Sequence, residues 1–418
     1  MRPSRWRRWV DDWWFAACGL ALILGSDFKL RARDPTEALS GGVDTEVLIE
    51  LLLYGAVGGY VMLRHLRPPI RIHITPPFYF AGCLVALIVV SVSYSPYPQY
   101  SLVRAVQVCI LFALVVAAIR DATTDHLHRF AHAYLVLISA SVVYGFARPS
   151  IALNRLQEGR FTWLAIHPTS SGVMTSLATM LAVAYLYGRW QRKPGARWPL
   201  LVYGSIAGLV GTALLATQTR GAVAGAAGGI VVLMLVAIPR RRVLDYLGGL
   251  IVIGAGAALV GSKLAAAYFA RGGDSTDITT LNSRTKLWGA AIDAISQHPM
   301  FGYGVTSARG IFYDAVGLGG GHNAVINVTV ELGVVGLGIW LAMVVSLLIG
   351  LRNTPRRVGG ADVSLDRAML YGIITFLMID GVFTEGAGAV ANVESTWFFV
   401  CVAWLAILDR GIYNQVPR

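Results

Sequence analysis

The sequence predicts an all-α polytopic membrane protein of about 12 transmembrane helices. Three observations predict it. Of 418 residues, 56% are hydrophobic and only 14% charged, where a soluble domain carries about 25% charged residues. The mean hydropathy is +0.60. The apolar residues also gather into runs near the roughly 20 residues that a helix needs to cross a hydrocarbon core of about 30 Å. The chain reads as a single integral membrane domain, 1–418, with no room for a sizeable soluble domain beside it. The net charge of +12 would suggest nucleic acid on a soluble protein. Here the basic residues sit in short loops between apolar runs, so they report topology and no nucleic-acid partner is expected.

Arginines bound the runs in order. Run 9–26 follows Arg2, Arg5, Arg7 and Arg8. It has no small-residue cleavage site after it and is expected to remain as a span. Run 46–63 ends at Arg64, Arg67 and Arg71. Runs 77–95 and 101–119 form the next pair, closed by Arg120 and Arg129. Runs 131–147 and 169–188 end at Arg189, Arg192, Lys193 and Arg197. Runs 199–217 and 221–238 are joined by almost nothing and end at Arg240, Arg241 and Arg242. Runs 245–268 and 322–350 lead to Arg352, Arg356, Arg357 and Arg367, and runs 368–386 and 394–408 to Arg410 and Arg418. These basic loops alternate with the runs, so both termini are expected in the cytoplasm. Gly and Ala are dense in the seventh to ninth runs, where small side chains let backbones approach closely in lipid.

Cys18, Cys83, Cys109 and Cys401 all lie within apolar runs and form no CxxC pair. They read as membrane-buried thiols, with no disulfide framework and no metal site. No Walker A, HExxH or metal-spaced Cys/His cluster is present, and no DxD occurs in the outer loops, so neither a cofactor nor a metal is expected.

The outer loops are unequal. The linker Gln218-Thr219-Arg220-Gly221 can only turn, which holds Arg220 close to the outer interface. The loop at about 269–321 is the longest outside the membrane. In it Ser283 can cap a helix starting at Arg284, on which Leu287, Trp288, Ala291, Ile292 and Ile295 form one apolar stripe. His298-Pro299 ends that helix. Phe301-Gly302-Tyr303-Gly304 follows, then the turn Gly317-Leu318-Gly319-Gly320-Gly321, and His322-Asn323 opens the tenth run. Such an amphipathic helix is expected on the membrane surface or on the spans.

Five histidines, His65, His73, His126, His128 and His132, fall in or beside the basic loops, where solvation is expected. His167, His298 and His322 lie outside. His322 follows a flexible Gly run and opens a spanning helix. It can serve as a proton acceptor at an apolar boundary or as a helix cap. Arg160, Arg220 and Arg284 lie on three separate outer segments. Each can snorkel to headgroups, and together they suit a diphosphate, since guanidinium forks match phosphate oxygens and helix N-termini add positive dipole. Glu50, Glu331, Asp380 and Glu385 read as membrane-embedded acids. Glu331 lies nine residues after His322, about 13 Å along a helix, and cannot be its direct partner. Glu50 and Arg104 form a candidate buried pair.

At these residues a family becomes recognisable. Asn282-Ser283-Arg284-Thr285, Leu287-Trp288, Ala290-Ala291, His298-Pro299, Phe301-Gly302-Tyr303-Gly304, His322-Asn323, Glu331-Leu332-Gly333 and Gly336-Leu337 occur in that order. The string resembles the O-antigen ligase and polymerase superfamily. Thr219-Arg220-Gly221 fits the same pattern, as does Gly159-Arg160 with His167-Pro168 and Gly172. The resemblance covers about 155–345. It implies a GT-C type, inverting, metal-independent glycosyltransferase in the bacterial cytoplasmic (inner) membrane, with its site on the outer face. Such enzymes move a glycan from a polyprenyl-diphosphate carrier to an acceptor hydroxyl on a lipid-linked or glycan acceptor. The resemblance makes His322, Arg220 and Arg284 the candidate catalytic residues. Arg160, His167, Ser283, Tyr303 and Asn323 are the candidate substrate-binding residues. A polymerase of carrier-linked repeat units shares these motifs. A secondary transporter using Glu50, Arg104, Asp380 and Glu385 is the alternative from another class, although no two related halves are visible.

Overall fold

The computed structural model describes residues 5–28, 42, 44–65, 74–154, 159–162, 167–192, 197–248, 280–317, 319–358 and 360–413. For 280–285 only the backbone is described. The described α-helices of more than one turn are α1 (Arg5–Asp27), α2 (Thr45–His65), α3 (Pro76–Ser91), α4 (Pro98–Asp121), α5 (Thr124–Ala147), α6 (Pro168–Arg192), α7 (Arg197–Ala216), α8 (Arg220–Ala237), α9 (Thr280–Gln297), α10 (Ser307–Val316), α11 (Ala324–Asn353), α12 (Ser364–Asp380) and α13 (Val393–Tyr413). Prolines open α3, α4 and α6, where their fixed φ suits the first helical position and the missing N–H costs nothing.

Eight of these helices, α2 to α8 and α11, are long and apolar enough to cross a membrane. The protein is therefore a multi-pass membrane protein. α1, α12 and α13 coincide with three more of the expected runs. The run at 245–268 lies almost wholly outside the described residues. The eleventh run was expected to reach 386, but α12 ends at Asp380 and the chain turns there. Asp380, Gly381 and Thr384 close that turn through backbone bonds, which leaves Glu385 outside the helix.

α13 and α6 form the inside of the bundle. Residues 393–408 of α13 are almost all buried, against α1, α3, α4, α5, α6, α11 and α12. For α6, 72% of the apolar stretch is buried, against 17% for α7, so α7 lies on the rim. The Gly-rich α8 packs on α12. A Cβ on Gly229 would stand 2.8 Å from Gly372 O, and one on Gly372 3.0 Å from Gly229 O. Here the two backbones touch, as small residues in lipid permit.

α11 is broken at Gly333, whose φ of 65° and ψ of −169° belong to no helix. The segment after α9 fills the break. Pro299 O accepts from Val334 N at 2.9 Å and Met300 O from Val335 N at 3.2 Å. Tyr303 N donates to Val330 O at 2.9 Å and Gly304 N to Glu331 O at 2.8 Å. The polar groups that the break would orphan are thus satisfied by residues 299–304, as a buried backbone requires. The Glu331 side chain bonds to the backbone of Thr306 and Ala308 and to Asn327, closing the start of α10.

α9 begins at Thr280, a turn before the expected start. Ser283 is therefore inside the helix and not its cap, and the Ser283 and Arg284 side chains lie outside the described residues. The helix ends at Gln297, before His298-Pro299. Its expected single stripe divides. Leu287, Ala291 and Ala294 pack on Ala308, Phe312 and Val330, while Trp288 and Ile292 face outward.

Helix ends that the charge pattern assigns to one side do meet. Arg64 Nε binds Asp121 Oδ2 at 2.8 Å, Arg120 donates to Arg64 O, and Arg410 donates to the carbonyls of Ile119, Arg120 and Ala122. The histidines there are not simply solvated. α5 starts at Thr124 and carries three of them into the bundle. His126 Nδ1 accepts from Thr123 N at 3.2 Å and Nε2 meets Asp11 O at 2.8 Å. His128 bridges Tyr185 at 2.9 Å and Asp366 at 3.2 Å, and His132 meets Tyr203 at 2.8 Å. The His65 side chain and His73 lie outside the described residues. Cys18, Cys83, Cys109 and Cys401 are all free thiols.

Candidate active site

Four segments converge at the opposite end of the bundle. The first is a two-stranded hairpin, β1 (Leu153–Asn154) with β2 (Arg160–Phe161), in which Asn154 pairs with Arg160. Thr162 holds it to Ala152 O at 2.7 Å, and Ser171 of α6 donates to Thr162 O at 2.6 Å. Arg160 thereby points inward and is buried. Its Nε donates to Thr217 O at 2.8 Å and its Nη2 to Thr219 Oγ1 at 3.2 Å. Thr219 Oγ1 donates on to Pro168 O at 3.0 Å. Arg160 is bound to the turn before Arg220, so its place is to hold that turn.

The second segment is the turn itself. α7 stops at Ala216 and α8 starts at Arg220, as so short a linker demands. Gln218 takes the left-handed conformation, φ 50°, which costs a non-glycine residue on the order of 1–3 kcal/mol. Gly172 lies against Thr219, where a Cβ would stand 2.9 Å from the threonine Cβ. Arg220 is the first residue of α8. Its Nε is buried without a hydrogen-bond partner among the described residues. An arginine at a helix N-terminus with a donor left over is disposed to take an anion.

The third segment is the Gly run and the start of α11. His322 is again left-handed, φ 48°. It is not the helix cap. Asn323 is, with Oδ1 accepting from Ile326 N at 3.1 Å and Nδ2 donating to Val382 O at 3.2 Å. Asn323 therefore spends its amide within the fold. The His322 ring instead faces Glu385, with Nδ1 3.8 Å from Oε2.

The fourth segment is the turn after α12. Ala324 N donates to Gly381 O at 2.7 Å. Phe383 lies on Gly221, where a Cβ would stand 2.7 Å from the phenylalanine Cβ. One short turn thus joins the start of α11, with His322, to the start of α8, with Arg220.

His167 stands before α6, with Nδ1 accepting from Thr169 N at 3.3 Å. Desolvation, then the charges of Arg160 and His322, push its pKa down to about 4. The imidazole is neutral at physiological pH with Nε2–H as its remaining donor, and it lies within the field of both neighbours. Tyr303 is not brought to this group. Its hydroxyl donates to Gln297 Oε1 at 3.0 Å, and its ring packs 4.2 Å from His298. Its place is in the wedge that fills the α11 break.

Sequence reasoning missed Glu385 as a neighbour of His322, because an apolar run appeared to continue past it. It also missed Thr217 and Thr219 as the acceptors of Arg160. The transporter candidates are engaged locally. Arg104 pairs with Glu50 at 2.9 Å beside Gln107, as expected, and Asp380 accepts from Thr384 Oγ1 at 2.9 Å.

The fold and the site define a multi-pass helical membrane protein with an arginine- and histidine-bearing site at one end of the bundle. Residues 205–341 match the O-antigen ligase family. The match is about a third of the chain, from within α7 to within α11, and it holds Arg220, Arg284, Tyr303, His322 and the Gly333 break. Over this segment the chain is similar to the O-antigen ligase family, and the match supports an O-antigen ligase/polymerase kinship. No curated protein matches the chain.

Proposed function

We propose that the protein is a GT-C type glycosyltransferase. It moves a glycan from a polyprenyl-diphosphate carrier to an acceptor hydroxyl at the outer face of the cytoplasmic membrane, with both termini inside. One observation carries this reading. Gly221, next to Arg220, and His322 with Asn323 meet the same 380–385 turn from two separate helices, and the Arg220 Nε is buried without a hydrogen-bond partner among the described residues. A diphosphate and a hydroxyl nucleophile need such a pair, a fixed cation for the leaving group and a base for the attacking oxygen.

In the proposed reaction the acceptor oxygen forms its bond to the anomeric carbon as the carbon–phosphate-oxygen bond breaks. A single displacement inverts the configuration. His322 takes the acceptor's proton, and the diphosphate leaves with the electron pair. Arg220 and Arg284 offset its charge, Arg160 braces the Arg220 turn, and His167 adds a neutral N–H donor. Asn323 caps α11 beside His322, and Tyr303 holds the wedge in the α11 break away from these groups. No step calls for a metal.

The test is transfer by purified protein in nanodiscs, with lipid-linked glycan, acceptor and EDTA. Transfer at an unchanged rate supports the reading. A reaction that stops in EDTA and resumes with magnesium or manganese refutes metal independence. Movement of solute without glycan transfer would favour the transporter. Deletion of the gene separates the two acceptor classes. Loss of glycan attachment with chain length intact means a ligase, and single repeat units mean a polymerase.

A further inference from the structure

We propose that Glu385 is the positioning residue of His322: it holds the Nδ1 side of the imidazole so that Nε2 faces the acceptor as base. The proposal rests on the transferase reading above and adds a residue to it.

Backbone bonds fix the relative placement of the two side chains. The residues just after His322 bind the residues just before Glu385, Ala324 N to Gly381 O and Asn323 Nδ2 to Val382 O. The Gly run supplies the room. A Cβ on Gly320 would stand 2.6 Å from Glu385 Oε1 and 2.9 Å from its carboxyl carbon, so a side chain there would displace the carboxylate from this position. The left-handed backbone of His322 is held between this run and the Asn323 cap. Strain of this kind persists where the surroundings over-determine it.

The remaining gap, 3.8 Å from Nδ1 to Oε2, is longer than a hydrogen bond of about 2.7–3.2 Å. A shift of under about 1 Å or one bridging water closes it. A carboxylate that accepts Nδ1–H fixes the tautomer, leaves the Nε2 lone pair outward and stabilises the imidazolium as it forms. The acceptor's O–H proton goes to Nε2, the new O–C bond forms and the phosphate oxygen departs. Glu385 stays ionised and takes no proton.

Other charged groups face the pair from each neighbouring element. His167 and Arg160 lie on the hairpin side. Glu331 of α11, Asp380 of α12 and Glu394 of α13 lie within electrostatic reach of Glu385. Gly221, next to Arg220, lies against Phe383. Neither Glu331 nor Asp380 is the partner of His322, since Glu331 closes α10 and Asp380 binds Thr384.

The experiment compares wild type, Glu385→Gln, Glu385→Asp and His322→Ala in nanodiscs. Gln keeps the shape beside Gly320 and removes the charge. The expected result for Gln is a kcat lower by about 10- to 100-fold, within the range of general-base effects. Donor KM should stay within about twofold, and the acid limb of the pH–rate profile should move to lower pH. Asp, one methylene short, restores part of the rate. The double variant with His322→Ala is no slower than His322→Ala alone, as coupled residues require. A second readout needs no turnover. Both side chains are partly exposed, 43% for His322 and 35% for Glu385, so diethylpyrocarbonate can reach the ring. The pH midpoint of His322 modification, read by peptide mass spectrometry, should fall in Glu385→Gln.

Wild-type kcat with an unmoved acid limb in the Gln variant overturns the proposal. So does a fall in kcat that Asp does not relieve, accompanied by a lower melting temperature in both variants. If wild type transfers nothing, the transferase reading fails by itself. An unmoved modification midpoint then overturns the pairing as well, and a lowered midpoint upholds it.

Discussion

Replacing Gly333 by Ala tests whether the α11 break is a built junction. Its φ of 65° and ψ of −169° lie in a region open essentially to glycine, at a cost on the order of 1–3 kcal/mol for any other residue. A Cβ would also lie well inside contact distance of Met300 O and Phe301 N. The 299–301 backbone must therefore retreat by about an ångström. That breaks the bonds from Val334 N to Pro299 O and from Val335 N to Met300 O. Each orphaned buried N–H costs about 1–3 kcal/mol. The sum is about 3–9 kcal/mol, comparable with the whole stability of many domains. The expected outcome is a large fall in melting temperature in detergent, followed by Trp fluorescence, with transfer activity lost in parallel. An Ala variant that melts within about 2 °C of wild type and keeps its activity refutes this account of the junction.

Other outcomes follow from the site. Arg220→Ala should insert normally and lose transfer by about 2–4 kcal/mol of transition-state stabilisation, tens- to several-hundred-fold in rate at saturating donor. Arg220→Lys should recover only part, because the planar fork is gone; a fully active Ala variant removes the diphosphate role. His167 is depressed to about 4. The unfolded chain therefore takes up its proton first, near about 6.5, and the stability present above that pH is lost as pH falls through 4. Wild type should thus lose more melting temperature than His167→Gln between pH 7 and 4.5, and equal losses would contradict the assignment. Gly229→Ala drives a Cβ into Gly372 O and Met180 and should lower thermal stability by about 1–3 kcal/mol, read as earlier unfolding in a melt.

The apolar runs were legible because lipid leaves few alternatives to a helix. Eight of them meet length and apolarity, and their charged ends meet in space as the arginine pattern requires. The breaks were less legible. Gly333 sits in a run whose composition favours a helix throughout, and only the partner backbone of 299–304 fixes its conformation. Val382-Phe383-Thr384 is apolar enough to extend a span on paper, yet Asp380 and Gly381 close a turn before it. His128 and His132 were misread for a related reason. Beside a basic loop they look solvated, but their spacing of four puts both on one face of α5, toward Tyr185, Asp366 and Tyr203. Arg220 and His322 were legible as residue types in suggestive places. Their convergence was not, since it runs through Phe383 and Val382, which carry no chemical signal.

The two Gly-containing strings around 301–304 and 331–333 explain each other once the break is considered as geometry. Phe301-Gly302-Tyr303-Gly304 needs positive φ at Gly302 and Gly304 so that Tyr303 N and Gly304 N can turn toward Val330 O and Glu331 O. Gly333 needs its own positive φ so that Val334 and Val335 can turn toward Pro299 and Met300. Either string alone would leave buried polar groups unpaired, at a cost that a membrane interior makes larger. Together they fasten the end of α9, whose first turns carry Arg284, to α11, whose first residues follow His322. Arg220 is tied through Phe383 to the same corner. The segments bearing Arg220 and His322 thus meet at one α11–α12 corner, which suits chemistry that depends on placing a cation and a base to within about an ångström.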